Sequence, residues 1–494
     1  MLFNSLHFLI FFPLVVITFF ALPPRIRWLL LLVASYYFYM SWKPIYGLLL
    51  FVTTVIAYIA GIQIEKARDE KTKNMYLYGC IVFSLGILFF FKYFNFFFDT
   101  LAHFINVFDL SFTSPTLQIL LPVGISFYIF QALSYVIDVY RGTCKAERHF
   151  GIFALYKSFF PQLVAGPIER ASHMLPQLHK TTTPTRANFV IGLRLMLWGA
   201  FKKIVVADNA ALIVSSVYDD PSGVNGIALL VGTLFFAVQI YGDFSGYSDI
   251  ARGAARILGY DLVQNFNNPY FVRSITDFWN RWHISLTSWF QIYVFMPLYT
   301  RLIRTRALRS LPSYYQYTLT FIIATLIGLT LLGLWHGANV TFIAFGLSQA
   351  TFIIMHHLIK KWWGSLNFYV ANVLTLCMVL TGFVFFRAST LHDALTVFAG
   401  IFDEIRILIF SPFLLPTHAL EAAYALGVNR YQLVLISAAA IFLFTAEALF
   451  QKESFQRWCA RIPRPVRLGG YYALIVWILL QGNFGETSFI YFQF

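Results

Sequence analysis

The chain has 494 residues, of which 59% are hydrophobic and 19% aromatic while only 12% are charged. A soluble domain carries about 25% charged residues, so this composition excludes a water-solvated globular fold and places the chain in a bilayer. The 36 basic against 22 acidic side chains leave a net charge of +14, which in a membrane chain marks cytoplasmic connectors and so argues against a nucleic-acid partner.

Taken in chain order, residues 7–22 form an apolar run with no basic segment before it and no small-residue cleavage site after it. Another apolar run starts at Trp28, so the first is read as a retained span and not a removed leader. Further apolar runs follow at 28–42, 45–64, 75–98, 117–139, 189–218, 227–249, 315–335, 338–359, 366–386, 431–450 and 470–482. Several approach the ~20 residues a helix needs to cross hydrocarbon, where only helices or closed barrels satisfy their backbone. The expected class is an all-α integral membrane protein, with residues 1–494 forming one polytopic domain.

Basic residues cluster in the connectors with Arg25 and Arg27, with Lys66, Arg68, Lys71 and Lys73, with Arg301, Arg304, Arg306 and Arg309, and with Lys452, Arg457, Arg461, Arg464 and Arg467. The stretches 99–120 and 215–235 contain Asp99, Asp109, Asp219 and Asp220 but neither Lys nor Arg. Alternating the spans across these connectors gives about twelve crossings with both termini outside. The run 286–300 starts and ends on the positive side and is read as re-entrant or interfacial. Cys80, Cys144, Cys377 and Cys459 are far apart, which suggests neither a disulfide framework nor a zinc cluster.

Three polar breaks interrupt the apolar runs. YGDFSGYSDIARGAARILGY, residues 241–260, sets Asp243, Ser245, Ser248 and Asp249 before Arg252 and Arg256. The Gly242/Gly246 spacing signals close helix packing, and the acid–base mixture fits either a polar pocket or a satisfied salt-bridge cluster. In residues 267–299, Asp277 and Arg281 are spaced to pair on a helix face. Trp279, Trp282 and Trp289 are interfacial aromatics, with His283 among them. The third break, GLWHGAN (333–339), places His336 and Asn339 between glycines. An ionisable residue at that depth is a functional candidate by default, although a histidine that merely joins two helices has the same signature. HExxH, Walker A, GxSxG and metal-ligand spacings are absent from the sequence.

Five stretches in order carry a resemblance: LPVGISFYIFQALSYVIDVYRG (121–142), FFPQLVAGPIER (159–170), YGDFSGYSDIARG (241–253), NFNNPYFVRSITDFWNRWHISLTSWF (265–290) and GLWHGAN. They are similar to the membrane-bound O-acyltransferase family, within it to the branch that O-acetylates bacterial polysaccharides such as alginate. The aromatic ending FIYFQF resembles that branch too. The resemblance implies a fold of about 11–13 transmembrane helices, plus re-entrant or interfacial helices, around a buried tunnel. It puts the family's near-invariant histidine at His336 and its second signature histidine at His283.

The implied reaction moves an acyl group from a thioester to a hydroxyl. The resemblance implies acetyl-CoA as donor, no bound cofactor or metal, and a bacterial cytoplasmic (inner) membrane. It also implies an extracytoplasmic SGNH-type acetyltransferase partner and a polysaccharide acceptor.

On that reading His336 is the general base, with Asn339 as a candidate partner of its other ring nitrogen. His283 orients the acceptor or donates to the thioester carbonyl. Trp335, Trp279 and Trp282 exclude water. Asp243 and Ser245 border the polar pocket. Arg252, Arg256, Arg273 and Arg281 are candidates to hold the donor's phosphates, although positive-inside topology accounts for them equally. Two rival expectations stand beside this one. One is D-alanyl transfer from a carrier-protein thioester toward teichoic acid. The other is a transporter or channel, for which intramembrane histidines serve equally well.

Overall fold

The computed structural model describes residues 1–485 and 489–490, and the regular structure among them is helical. Seven helices are long and apolar enough to cross a membrane: Ile45–Lys66, Glu70–Asn106, Gly226–Ile257, Ser313–His336, Val340–Leu358, Phe368–Arg387 and Arg430–Phe450. Two shorter apolar helices, Leu6–Ala21 and Ile125–Tyr140, have 16 residues each. At 1.5 Å per residue they are about 24 Å long, short of the ~30 Å hydrocarbon core. The remaining expected crossings are helices too short or too polar to reach that measure alone.

The chain divides into two compact units, Met1–Met196 with Tyr247–Gln264 and Leu197–Gly246 with Asn265–Phe494. In the first, Ile45–Lys66 packs on Ile125–Tyr140 and on the helix that starts at Glu70. Asp69 caps that helix by accepting from the Thr72 amide at 2.8 Å. The apolar run 117–139 becomes a helix only from Ile125. Pro115 and Pro122 precede it, and Gly124, at φ 75°, occupies the left-handed region just before the helix. Fourteen of its sixteen residues are buried, so its hydrophobicity reflects a protein interior more than contact with lipid. The stretch Phe159–Glu169 is buried throughout, and the fully buried Glu169 is bonded at 2.6 Å to His173 and at 2.5 Å to the Val263 amide.

In the second unit, Ser313–His336 and Val340–Leu358 form a tight hairpin. A Cβ on Gly333 would lie 2.1 Å from the Phe342 carbonyl oxygen, and one on Gly346 would lie 2.3 Å from that of Leu329. Only glycine allows this backbone approach. Phe368–Arg387 packs against the hairpin's second arm. The helix Leu391–Phe410 falls in no predicted apolar run, because Asp393, Asp403, Glu404 and Arg406 interrupt its hydrophobicity. The region read as re-entrant or interfacial is one continuous helical stretch, Ile284–Phe290, the wider-wound Gln291–Phe295 and Met296–Leu302.

Candidate active site

The site is built within the second unit from two chain breaks. At the first, Ser274 caps Ile275–Arg281 by accepting from the Asp277 amide at 3.2 Å. Asp277 therefore lies in that helix's first turn, and it forms no ion pair with Arg281. The helix stops at Trp282, and His283 takes φ 43° and ψ 54° before the next helix begins at Ile284. A β-unbranched residue other than Gly, Asn or Asp reaches this left-handed region at a cost of about 1–2 kcal/mol. The conformation is held from outside. The Asn265 carbonyl accepts from Ile284 N at 2.9 Å, the Asn265 side chain accepts from Ser285 N at 3.2 Å, and Asn267 N donates to the Arg281 carbonyl at 3.0 Å. Strain of this kind, maintained by its surroundings, is characteristic of functional positions.

His336 lies at the second break, as the last residue of its helix. Gly337 continues in extended backbone and Asn339 starts the next helix. The two histidines meet on one indole. The Trp335 ring centroid lies 6.1 Å from that of His283 and 4.9 Å from that of His336. Phe244 stands edge-on to His283 at 4.5 Å, and Phe386 and Phe345 stand edge-on to His336 at 5.0 and 5.6 Å. Trp279 touches Phe345 at 6.0 Å, and Trp282 stacks on Phe278 at 5.4 Å. All these residues are buried, His283 to 1% and His336 to 5% exposure. His283 lies between two short helices, outside the membrane-crossing ones. Burial pushes its imidazole well below the ordinary range, so the ring is neutral at physiological pH and retains one N–H and one basic nitrogen.

Two expectations change here. Asn339 is a helix cap: its side-chain oxygen accepts from Thr341 N and its side-chain nitrogen donates to the Ser389 carbonyl, both at 3.1 Å. Its amide is thereby committed away from the imidazole of His336. Asp243 belongs to the salt-bridge cluster and not to an open pocket. Its carboxylate is 2.8 Å from Lys203 Nζ and accepts from Ile490 N at 2.7 Å. Its neighbour Ser245 is 1% exposed, and its hydroxyl has no hydrogen-bond partner among the described residues.

The arginines assigned to the donor fall in different places. Arg252 pairs with Asp249 at 3.5 Å and Arg256 with Asp261 at 3.3 Å, all in the first unit. Arg273 donates to the Gly364 and Leu366 carbonyls at 2.8 and 2.6 Å, closing the end of a short helix. Arg281 is half-buried and is the one of the four whose guanidinium has no such partner among the described residues.

The sequence reading passed over a buried ionic network in the second unit. Lys203 Nζ bridges Asp208, at 2.7 Å, and Asp243. Lys202 Nζ lies 2.6 Å from Glu447, which also accepts from the Tyr241 hydroxyl at 2.5 Å. The wide turn Phe201–Ala207 carries both lysines, and a Cβ on Gly246 would lie 2.7 Å from the Gly199 carbonyl oxygen. The Gly242/Gly246 spacing thus brings the Tyr241–Phe244 face against the lysines. That face holds Trp282 at 6.1 Å from Tyr241 and Phe489 at 5.6 Å from Phe244. Of the ending FIYFQF, Phe489 and Ile490 are seated here, and residues 491–494 lie outside the described residues. The signal for this network was present as Lys202, Lys203 and Asp208 inside the apolar run 189–218.

Two histidines in an aromatic, desolvated setting, in a chain with seven helices long and apolar enough to cross a membrane, make a site suited to acid–base chemistry away from water. The pattern of the membrane-bound O-acyltransferase family matches residues 149–390, which include both histidines. A probable alginate O-acetylase AlgI of Azotobacter vinelandii is 37% identical over 412 residues, covering 82% of this chain and 78% of that protein. A peptidoglycan O-acetyltransferase of Helicobacter pylori is 32% identical, covering 77% of this chain and 75% of that protein. A teichoic acid D-alanyltransferase of Bacillus subtilis is 27% identical over 55% of the chain and 69% of its own length. This chain belongs to the membrane-bound O-acyltransferase family.

Proposed function

We propose that the protein moves acetyl groups from acetyl-CoA on the cytoplasmic side of a bacterial inner membrane toward O-acetylation of an extracytoplasmic polysaccharide, finished by an SGNH-type acetyltransferase partner. The observation that carries the reading is that His283 and His336 both lie against the Trp335 indole, at 6.1 and 4.9 Å between ring centroids. The acetyl-transferring relatives are also more similar to this chain than the D-alanyl-transferring one.

The chemistry follows from the side chains. An alcohol attacks a thioester carbonyl well only as it loses its proton. His336, as a neutral imidazole, takes that proton while the new C–O bond forms. His283 donates its N–H to the carbonyl oxygen as negative charge gathers there. The tetrahedral intermediate then collapses with loss of the thiolate, which takes a proton from the His336 imidazolium. The products are an ester and a free thiol. Trp335, Phe386 and Phe345 keep out the water that would otherwise hydrolyse the thioester.

The test is acetyl-CoA consumption and thiol release by the purified protein in detergent, supplied with the partner acetyltransferase and a polysaccharide whose hydroxyls accept the acetyl group. Wild type consumes the donor, and His336→Ala, at equal abundance, loses about 10²- to 10⁴-fold in rate, the usual contribution of a positioned base. Retained polymer acetylation in cells that carry His336→Ala overturns the base assignment. Solute movement with the thioester intact indicates a transporter. Activity confined to a carrier-protein D-alanyl thioester indicates the teichoic acid chemistry.

A further inference from the structure

The first unit contains a cavity of about 290 Å³ that the acyl-transfer reading does not use. Its floor is apolar, formed by Phe19, Trp28 and Tyr260, and its rim is cationic, formed by Arg25, Arg27 and Lys180. Arg25 and Lys180 are exposed and form no ion pair among the described residues. Arg27 is fixed in place: its guanidinium lies 5.2 Å over the Phe19 ring and donates to the Leu22 and Thr182 carbonyls at 3.0 and 2.7 Å. Those bonds neutralise carbonyl dipoles and leave its full positive charge at the rim.

Neutral donors complete the lining. His149 Nδ1 accepts from the Ile152 amide at 3.1 Å, so the neutral ring carries its proton on Nε2 as a free donor. The Thr182 hydroxyl is buried with no hydrogen-bond partner among the described residues. The carboxylate beside the cavity, Glu147, is already satisfied by His179 Nε2 at 2.7 Å and by the His149 amide at 2.8 Å. Three cations, a buried orphan hydroxyl and an imidazole N–H above an aromatic floor match a phosphate ester that carries apolar substituents. Drug-sized ligands occupy cavities of about 300–1,000 Å³. The volume here suits a phosphodiester with a small alcohol, whereas a coenzyme with its adenosine is too large.

We propose that this cavity binds the phosphate headgroup of an anionic phospholipid, an assignment independent of the acyl-transfer reading. The test is native mass spectrometry and thermal unfolding of the full chain in detergent, titrated in parallel with phosphatidylglycerol, phosphatidylcholine, inorganic phosphate and coenzyme A. Phosphatidylglycerol is expected to be retained and to raise the unfolding temperature, and phosphatidylcholine is not. Arg25→Gln with Lys180→Gln should weaken retention about 25-fold at low salt, from roughly fivefold per cation, with lipid-free unfolding unchanged. Arg25→Lys should restore most of it, and Thr182→Val should weaken retention with both cations in place. Equal retention of the two lipids, or equal retention by wild type and the double variant, overturns the proposal. Displacement of phosphatidylglycerol by inorganic phosphate or coenzyme A, lost in the double variant, also overturns it and reassigns the cavity to soluble phosphates.

Discussion

His283 contributes both a side chain and a strained backbone, and the two can be separated by substitution. At φ 43° alanine pays the same left-handed cost as histidine, whereas glycine does not. Thermal unfolding in detergent should therefore rank His283→Gly above His283→Ala by about 1 kcal/mol, although both lack the imidazole. Both variants should lose turnover with donor KM little changed, because the group is assigned to the transition state and not to donor binding. A normal kcat in well-folded His283→Ala would reduce the residue to a structural corner. At this scale the sequence was informative where a polar group broke an apolar run, and His283 and His336 stood out for that reason. It misled at Asn339, because three-residue spacing implies contact only within one continuous helix. Here Gly337 ends the first helix and Asn339 caps the second. Asn265 was invisible, since nothing in NFNNPY shows that its side chain and carbonyl hold the first amides of a helix nineteen residues later.

Elements here owe their placement to a few buried polar and small residues within otherwise interchangeable apolar surfaces. Hydropathy found most of the long helices but ran through 189–218 as if it were uniformly apolar. That run contains the wide turn Phe201–Ala207, whose lysines neutralise acids from elsewhere in the second unit. It also passed over Leu391–Phe410, where four charged residues share a helix with apolar ones. The network supports a prediction. Lys203→Met leaves Asp208 and Asp243, 3% exposed each, without their shared cation, and breaking a buried pair in this way costs about 3–5 kcal/mol. Unfolding in detergent should shift accordingly. The triple change Lys203→Met, Asp208→Asn and Asp243→Asn should recover most of the loss, since no charge is then left uncompensated. If Lys203→Met unfolds at the wild-type temperature, the network does not hold this region together.

For the whole molecule, the composition fixed the solvent and the connectors' charges indicate the sidedness, while the division into two units was not legible, because it depends on contacts between distant segments. Side chains such as Leu9, Leu14, Ile17, Tyr369 and Val373 are exposed as lipid-facing residues are. The 12% of charged residues is concentrated at connectors. Two native thiols lie in basic segments: Cys144 between Arg141 and Arg148, and Cys459 in the helix Glu453–Arg461, which is followed by Arg464 and Arg467. If the excess of Lys and Arg marks the cytoplasmic face, both thiols lie on it. A membrane-impermeant maleimide added to intact cells should then leave both unmodified, and added to inverted vesicles it should label both. Their rates should differ. Burial, with the carboxylates of Asp138, Glu147 and Glu65 nearby, pushes the Cys144 thiol up to about 11, so little thiolate is present at neutral pH and its labelling should quicken as pH rises. Labelling of either cysteine from outside intact cells would reverse the assignment of sidedness at that segment.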